Sequence, residues 1–129
     1  MADPDVFDFA RHVAASAAIA KLPRAGGKRF ETVFRHGSLQ LEIFAPRVRD
    51  LQRPHDRDEV YVVIRGEGFF VNGVQRFAFR AGDVLFAAAG EVHRFEDFSE
   101  DFSTWVFFYG KDGGEKPGGP PPAPSRPAP

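Results

Sequence analysis

His55, Glu59 and His93 are the residues of this 129-residue chain whose types and spacing best suit chemistry. Successive side chains alternate between the two faces of a strand, so a separation of four sends His55 and Glu59 to one face if both lie on, or at the mouth of, a single strand. His93 follows a Gly90 turn in GDVLFAAAGEVHRF, where a strand, a turn and a returning strand set it among apolar neighbours. An ionisable ring in such surroundings calls for a partner. Two imidazoles and one carboxylate converging on one ion would leave coordination positions open for water, substrate or dioxygen. The same residues also fit a blander arrangement, with hydrogen-bonded structural histidines and a solvated Asp56-Arg57-Asp58 loop. His36 reads as a turn residue ahead of Gly37, and His12, beside Arg11, as a surface residue.

Composition narrows what such a site could be. Zero cysteines exclude a disulfide framework, thiolate metal ligands and a thiol nucleophile, so any metal must use His, carboxylate or amide donors. A formal charge of -1, from 17 basic and 18 acidic residues, gives no electrostatic footprint for nucleic acid or an anionic membrane. No apolar run approaches the roughly 20 residues of a membrane span, and the acidic start MADPD is unlike a secretory signal. The chain therefore reads as a soluble cytoplasmic protein whose partner is a small molecule. Its 15 Phe residues imply a dense core or a barrel filled with side chains.

The elements that must position the three residues are short strands. ETVFRHGSLQLEIFAP reads as two strands joined at His36-Gly37, and GFFVNGVQRFAF as a hairpin with Asn72-Gly73 at its turn. EVYVVIR, DVLFAA, EVHRFED and STWVFFYG add further strands, and the set defines an all-β antiparallel sandwich or barrel. Ahead of it, an Ala-rich run predicts a helix from about Asp5 to Lys21, with Val6, Phe9, Val13 and Ala17 as its apolar stripe. Three regions follow: a helical segment over 1–27, a β-barrel domain over 28–110 and a disordered Pro/Gly-rich tail over 111–129.

The stretches PHDRDEVYVVIRGEGFF and GDVLFAAAGEVHRFED resemble the paired motifs of the cupin superfamily, and in particular its small stand-alone bacterial members. His55, Glu59 and Gly66 match the second half of the first motif, G-x5-H-x-H-x3,4-E-x6-G. Gly82, Gly90 and His93 match the second, G-x5-P-x-G-x2-H-x3-N, with Ala88 at the Pro and Asp97 at the Asn. The resemblance implies a double-stranded β-helix, or jelly roll, with a divalent ion inside it held by His55, Glu59 and His93. Arg53 stands where the family has its first His, and Arg47 replaces the opening Gly, so one of the usual four ligands is missing. Gln52 could supply an oxygen in its place. Arg53 cannot coordinate and would attract an anionic substrate group. Tyr61, Phe95 and Trp105 could wall the pocket, and Asp97 could brace the site from behind.

Fe, Mn, Ni, Co or Zn all suit this ligand set. The expected function is a metalloenzyme of the dioxygenase or isomerase type acting on a small anionic or carbonyl-bearing substrate. The competing expectation is a non-catalytic ligand-binding or sensor cupin that acts through another chain. The resemblance also implies a homodimer.

Overall fold

Eight short runs, most of them rich in β-branched and aromatic residues, each form a strand in the computed structural model, which describes residues 11–50 and 53–116. In chain order these are β1 (Phe30–His36), β2 (Leu39–Phe44), β3 (Asp58–Arg65), β4 (Glu67–Asn72), β5 (Gln75–Arg80), β6 (Val84–Ala87), β7 (His93–Glu96) and β8 (Ser103–Tyr109). One sheet has the order β1-β2-β8-β3-β6 and the other β5-β4-β7, with every pairing antiparallel. The protein is an all-β jelly roll.

Register decides which side chains the two sheets enclose. Glu59, Tyr61 and Val63 of β3 stand opposite Phe108, Val106 and Thr104 of β8, while Glu42 of β2 stands opposite Val106. All of these face inward. Phe70 of β4 pairs with Phe95 of β7 across the second sheet. Together with Phe79 and Phe102 they form the core, in which Phe95 packs edge-on to Tyr61 with ring centroids 5.0 Å apart. Aromatic pairs in this tilted or edge-to-face geometry each add about 0.5–1.5 kcal/mol beyond the burial of their area.

Both two-residue turns sit one position later than the sequence suggests. His36 pairs with Leu39 and Asn72 with Gln75, so Gly37-Ser38 and Gly73-Val74 are the central residues. A positive φ is needed only at the first of each pair, and Gly37 (58°) and Gly73 (60°) supply it.

The expected long helix is much shorter. A helix, α1, spans Ala15–Ala20, and residues 11–14 are non-helical. Ala14 caps it without a side-chain oxygen, so Ala propensity alone does not extend it backward. Val6 and Phe9 of the expected stripe lie outside the described residues. Ala17 is exposed, and Ala18 is the fully buried position. The helix covers the outer face of the larger sheet, where Ala18 joins Val33, Leu41 and Ile43, with Leu22, Trp105 and Phe107 packed around them.

Residues 111–116, expected as the start of a disordered tail, are fastened to the barrel instead. Gly113 N–H donates to the Asp56 carbonyl (2.6 Å), and Glu115 N–H to Asp58 Oδ2 (2.7 Å). The remaining tail residues lie outside the described residues.

Gly66 links β3 to β4 at a φ of 89°, and a Cβ there would meet Ser99 Oγ at 2.6 Å and Phe102 Cα at 2.7 Å. Gly66→Ala therefore combines left-handed strain with a backbone clash. A loss of ~2–4 kcal/mol is expected by urea denaturation, whereas Gly73→Ala, with open space around it, should lose only about 1.

Candidate functional site

Glu59 projects from β3 into the barrel and is 1% exposed. His93, the first residue of β7, reaches it from the opposite sheet and is equally buried. His55 does not lie on the strand, so strand parity is not what brings it to Glu59. It sits in the loop before β3, and its carbonyl accepts the Gly90 N–H at 2.8 Å. That bond ties the loop carrying His55 to the turn carrying His93. The three side chains offer donor atoms that all lie within 4.8 Å of one another.

The donors are oriented for more than each other. His55 Nε2 lies 4.0 Å from Glu59 Oε2, and His93 Nε2 approaches Glu59 Oε1 more closely still. Despite that closeness, Glu59 Oε1 and Oε2 and His93 Nε2 have no partner at hydrogen-bond angles and no solvent. Each buried polar atom left unsatisfied costs about 1–3 kcal/mol; a proton on His93 would pair it with Glu59 Oε1 but leave Glu59 Oε2 without a partner. A cation among them would satisfy all three. His93 Nδ1–H donates to the Glu91 carbonyl at 2.8 Å, which leaves the Nε2 lone pair for coordination. Burial works against a charged His93, but Glu59 and the Glu91 carbonyl outweigh it and raise its pKa. The pair is thus built to hold positive charge, proton or metal.

A second layer of polar contacts fixes these ligands. Glu91 Oε2 accepts from Ala88 N–H (3.0 Å) and Asn72 Nδ2 (2.8 Å), which stiffens the turn before His93. Buried Asp58 accepts from Ala89 N–H at 2.9 Å and from Glu115 N–H, joining β3, the β6–β7 turn and the C-terminal segment. Tyr61, Phe70 and Phe108 surround the histidines, with Phe108 at 5.2 Å from the His55 ring and Tyr61 and Phe70 each at 6.2 Å from that of His93.

The cluster opens into a cavity of about 720 Å³. Tyr61 lines it as expected, but other expected contacts fall elsewhere. Arg53 is exposed and is not part of the wall. Trp105 faces outward because its register partners on β2 and β3 are Ile43 and Val62, and it packs beneath α1. Phe95 is sealed in the core, touching Tyr61 and Phe70 rather than the open space. Asp97 is exposed and pairs with Arg76 at 2.7 Å, so it braces the surface rather than the site. Gln52 lies outside the described residues.

Glu42 was not anticipated. It lines the cavity beside Glu59, accepts from Gln40 Nε2 at 3.2 Å, and Gln40 in turn accepts from Arg57 at 3.0 Å. Burial first, and the charge of Glu59 second, push its pKa from 4.5 to about 7. The signal was present in LQLEIF, where Leu41 and Ile43 alternate with Gln40 and Glu42. Alternation ordinarily turns polar residues to solvent, but α1 covers the apolar face here and the polar face lines the cavity.

Set beside known proteins, residues 40–108 match the family described as cupin domain, and the chain belongs to that family. It is similar to an uncharacterized protein of Streptomyces coelicolor, 34% identical over 74 residues that make up 57% of this chain and 70% of that one. A shorter stretch of 50 residues, 36% of this chain, is 42% identical to the arabinose operon regulatory protein of Salmonella typhimurium but spans only 18% of that protein. Among solved structures, protein NMB1881 from Neisseria meningitidis superposes with a TM-score of 0.62 at 16% identity, covering 78% of this chain and all of that one. That likeness shows the shared fold.

Because Glu42 has a higher pKa folded than unfolded, the folded state keeps a proton between about pH 4.5 and 7 that the unfolded chain releases. Its contribution is full below that window and is lost as pH rises through it. Glu42→Gln has no such proton to lose. In urea titrations of chelator-treated protein, the variant should match wild type near pH ~4 and exceed it by up to ~3 kcal/mol near pH ~8.

Proposed function

We propose that this cupin is a metalloenzyme that holds one divalent ion through His55, Glu59 and His93 and acts on a small anionic or carbonyl-bearing substrate in the adjoining cavity. The observation that carries this reading is the set of buried, unsatisfied donor atoms on Glu59 and His93, with the His55 ring completing the cluster. Two imidazoles and a carboxylate in a cysteine-free chain suit Fe, Mn, Ni, Co or Zn. When bound, the ion supplies Lewis acidity, and a redox-active one also supports oxygen chemistry.

The chain's own groups do the rest. Tyr61 and Phe108 flank the ligands and limit water at the inner end of the cavity, which strengthens electrostatic interactions there. Burial holds the Glu42 carboxyl above the usual carboxylate range, so it can exchange a proton with a ligand in the same space. The reaction class that fits a metal beside such an acid is oxygenation or isomerisation of a small substrate.

A second reading is a ligand-binding or sensing cupin without turnover. The 50-residue stretch shared with the arabinose operon regulatory protein favours it.

Untagged protein should carry about one ion per chain by elemental analysis, falling to less than about a tenth in His93→Ala and Glu59→Ala. Asp58→Ala frees both the β6–β7 turn and the C-terminal segment, and metal affinity by competition with a chelating dye should drop ~10-fold or more. Turnover of small carboxylates, phenols or keto acids after loading with Fe, Mn or Zn supports the enzyme. Saturable ligand binding with no turnover under any metal selects the sensor, and wild-type metal content in His93→Ala removes the site.

A further inference from the structure

Arg29 and Arg47 both line the cavity, and both guanidinium groups reach one oxygen. Arg29 Nε donates to the Ala45 carbonyl at 2.8 Å, and Arg47 Nη1 donates to the same carbonyl at 3.1 Å. Arg47 Nη1 also reaches the carbonyls of Pro46 (2.9 Å) and Phe102 (3.2 Å). Every one of these acceptors is a neutral peptide oxygen. Among the described residues neither side chain forms an ion pair, whereas Arg24, Arg76 and Arg94 each have a carboxylate partner.

Two like charges gathered on one atom, with no ion-pair partner among the described residues, repel; Arg47 is exposed, and half-burial adds to the cost at Arg29. Arg29 registers it, since burial and then Arg47 lower its pKa. These hydrogen bonds use Nε of Arg29 and Nη1 of Arg47, so among the described residues the other N–H groups of both guanidiniums have no protein acceptor. Planar donor pairs of this kind match the two oxygens of an oxyanion.

We propose that Arg29 and Arg47 form an anion-binding site at the edge of the cavity and that it receives the carboxylate of a small monoanionic ligand. Carboxylate is favoured over phosphate because Asp50, Asp56 and Asp112 line the same cavity. Their field penalises a dianion more than a monoanion. The pairing of this site with a metal-bound end of the same ligand rests on the metalloenzyme reading above. The anion site itself does not, as neither arginine touches His55, Glu59 or His93. It also differs from the role expected for Arg53, which is exposed outside the wall.

The test is calorimetric titration of chelator-treated protein with benzoate, acetate and inorganic phosphate, each at low and high salt. Saturable benzoate or acetate binding is expected, weakening with salt and falling ~10-fold or more in Arg47→Gln and in Arg29→Gln. Arg29→Lys, which keeps the charge but not the fork, should fall less than Arg29→Gln. Because the protein is chelator-treated, carboxylate binding in this titration is independent of any metal, which separates this site from the metal reading. Carboxylate affinity unchanged in both glutamine variants overturns the proposal, as does binding of phosphate alone. Circular dichroism and urea midpoints of the variants establish that any loss is not unfolding.

Discussion

A carboxylate buried to 1% exposure with both oxygens lacking hydrogen bonds is the constraint around which the rest of this protein is arranged. Withdrawing a charged group from water costs several kcal/mol unless opposite charge is brought to it. His93, whose pKa Glu59 raises, brings that charge from the facing sheet, and the His55 ring approaches from the loop that precedes Glu59's own strand. Everything near it serves to keep these three side chains aimed at one point. The Gly90 N–H to His55 carbonyl bond couples the two ligand-bearing loops, and Asp58, adjacent in sequence but pointing to the other side of β3, stitches the same loops from behind.

The jelly roll supplies the rigidity such a point requires. Phe95 fills the centre of the core against Tyr61, Phe70, Phe79 and Phe102, so β7 cannot slide and carry His93 away. The larger sheet has two differently dressed faces. Beneath α1 it is apolar, while inside it offers Gln40, Glu42 and Glu59 to an open volume. That asymmetry lets one sheet be both a packing surface and the wall of a polar cavity.

Much of this was legible in the sequence because it is local. Strand periods and Gly37 and Gly73 at tight turns are properties of neighbouring residues, while the grouping of His55 and Glu59 with His93 was carried by the resemblance to the paired cupin motifs. What escaped depends on contacts distant in the chain. The helix was drawn too long because Ala propensity does not place its first turn; Val13 packs on the outer sheet face from non-helical backbone. Residues 111–116 looked structureless because the groups that hold them, Asp56 and Asp58, lie some fifty residues earlier. Trp105 was placed on the wrong face, since both faces of β8 are apolar and alternation gives no direction. Arg53 was chosen for its motif position, whereas Arg29 and Arg47, two of the arginines that do line the cavity, are brought together at the Ala45 carbonyl.

The central claim is that three side chains, one from each sheet and one from the loop before β3, grip a single cation. Anomalous diffraction from crystals of the untagged protein, collected on both sides of the absorption edge of the metal found by elemental analysis, tests it most directly. A single peak within coordination distance, about 2.0–2.3 Å, of His55, Glu59 and His93 is the expected result. Metal-saturated crystals with no peak there, or with the ion held elsewhere, would contradict it.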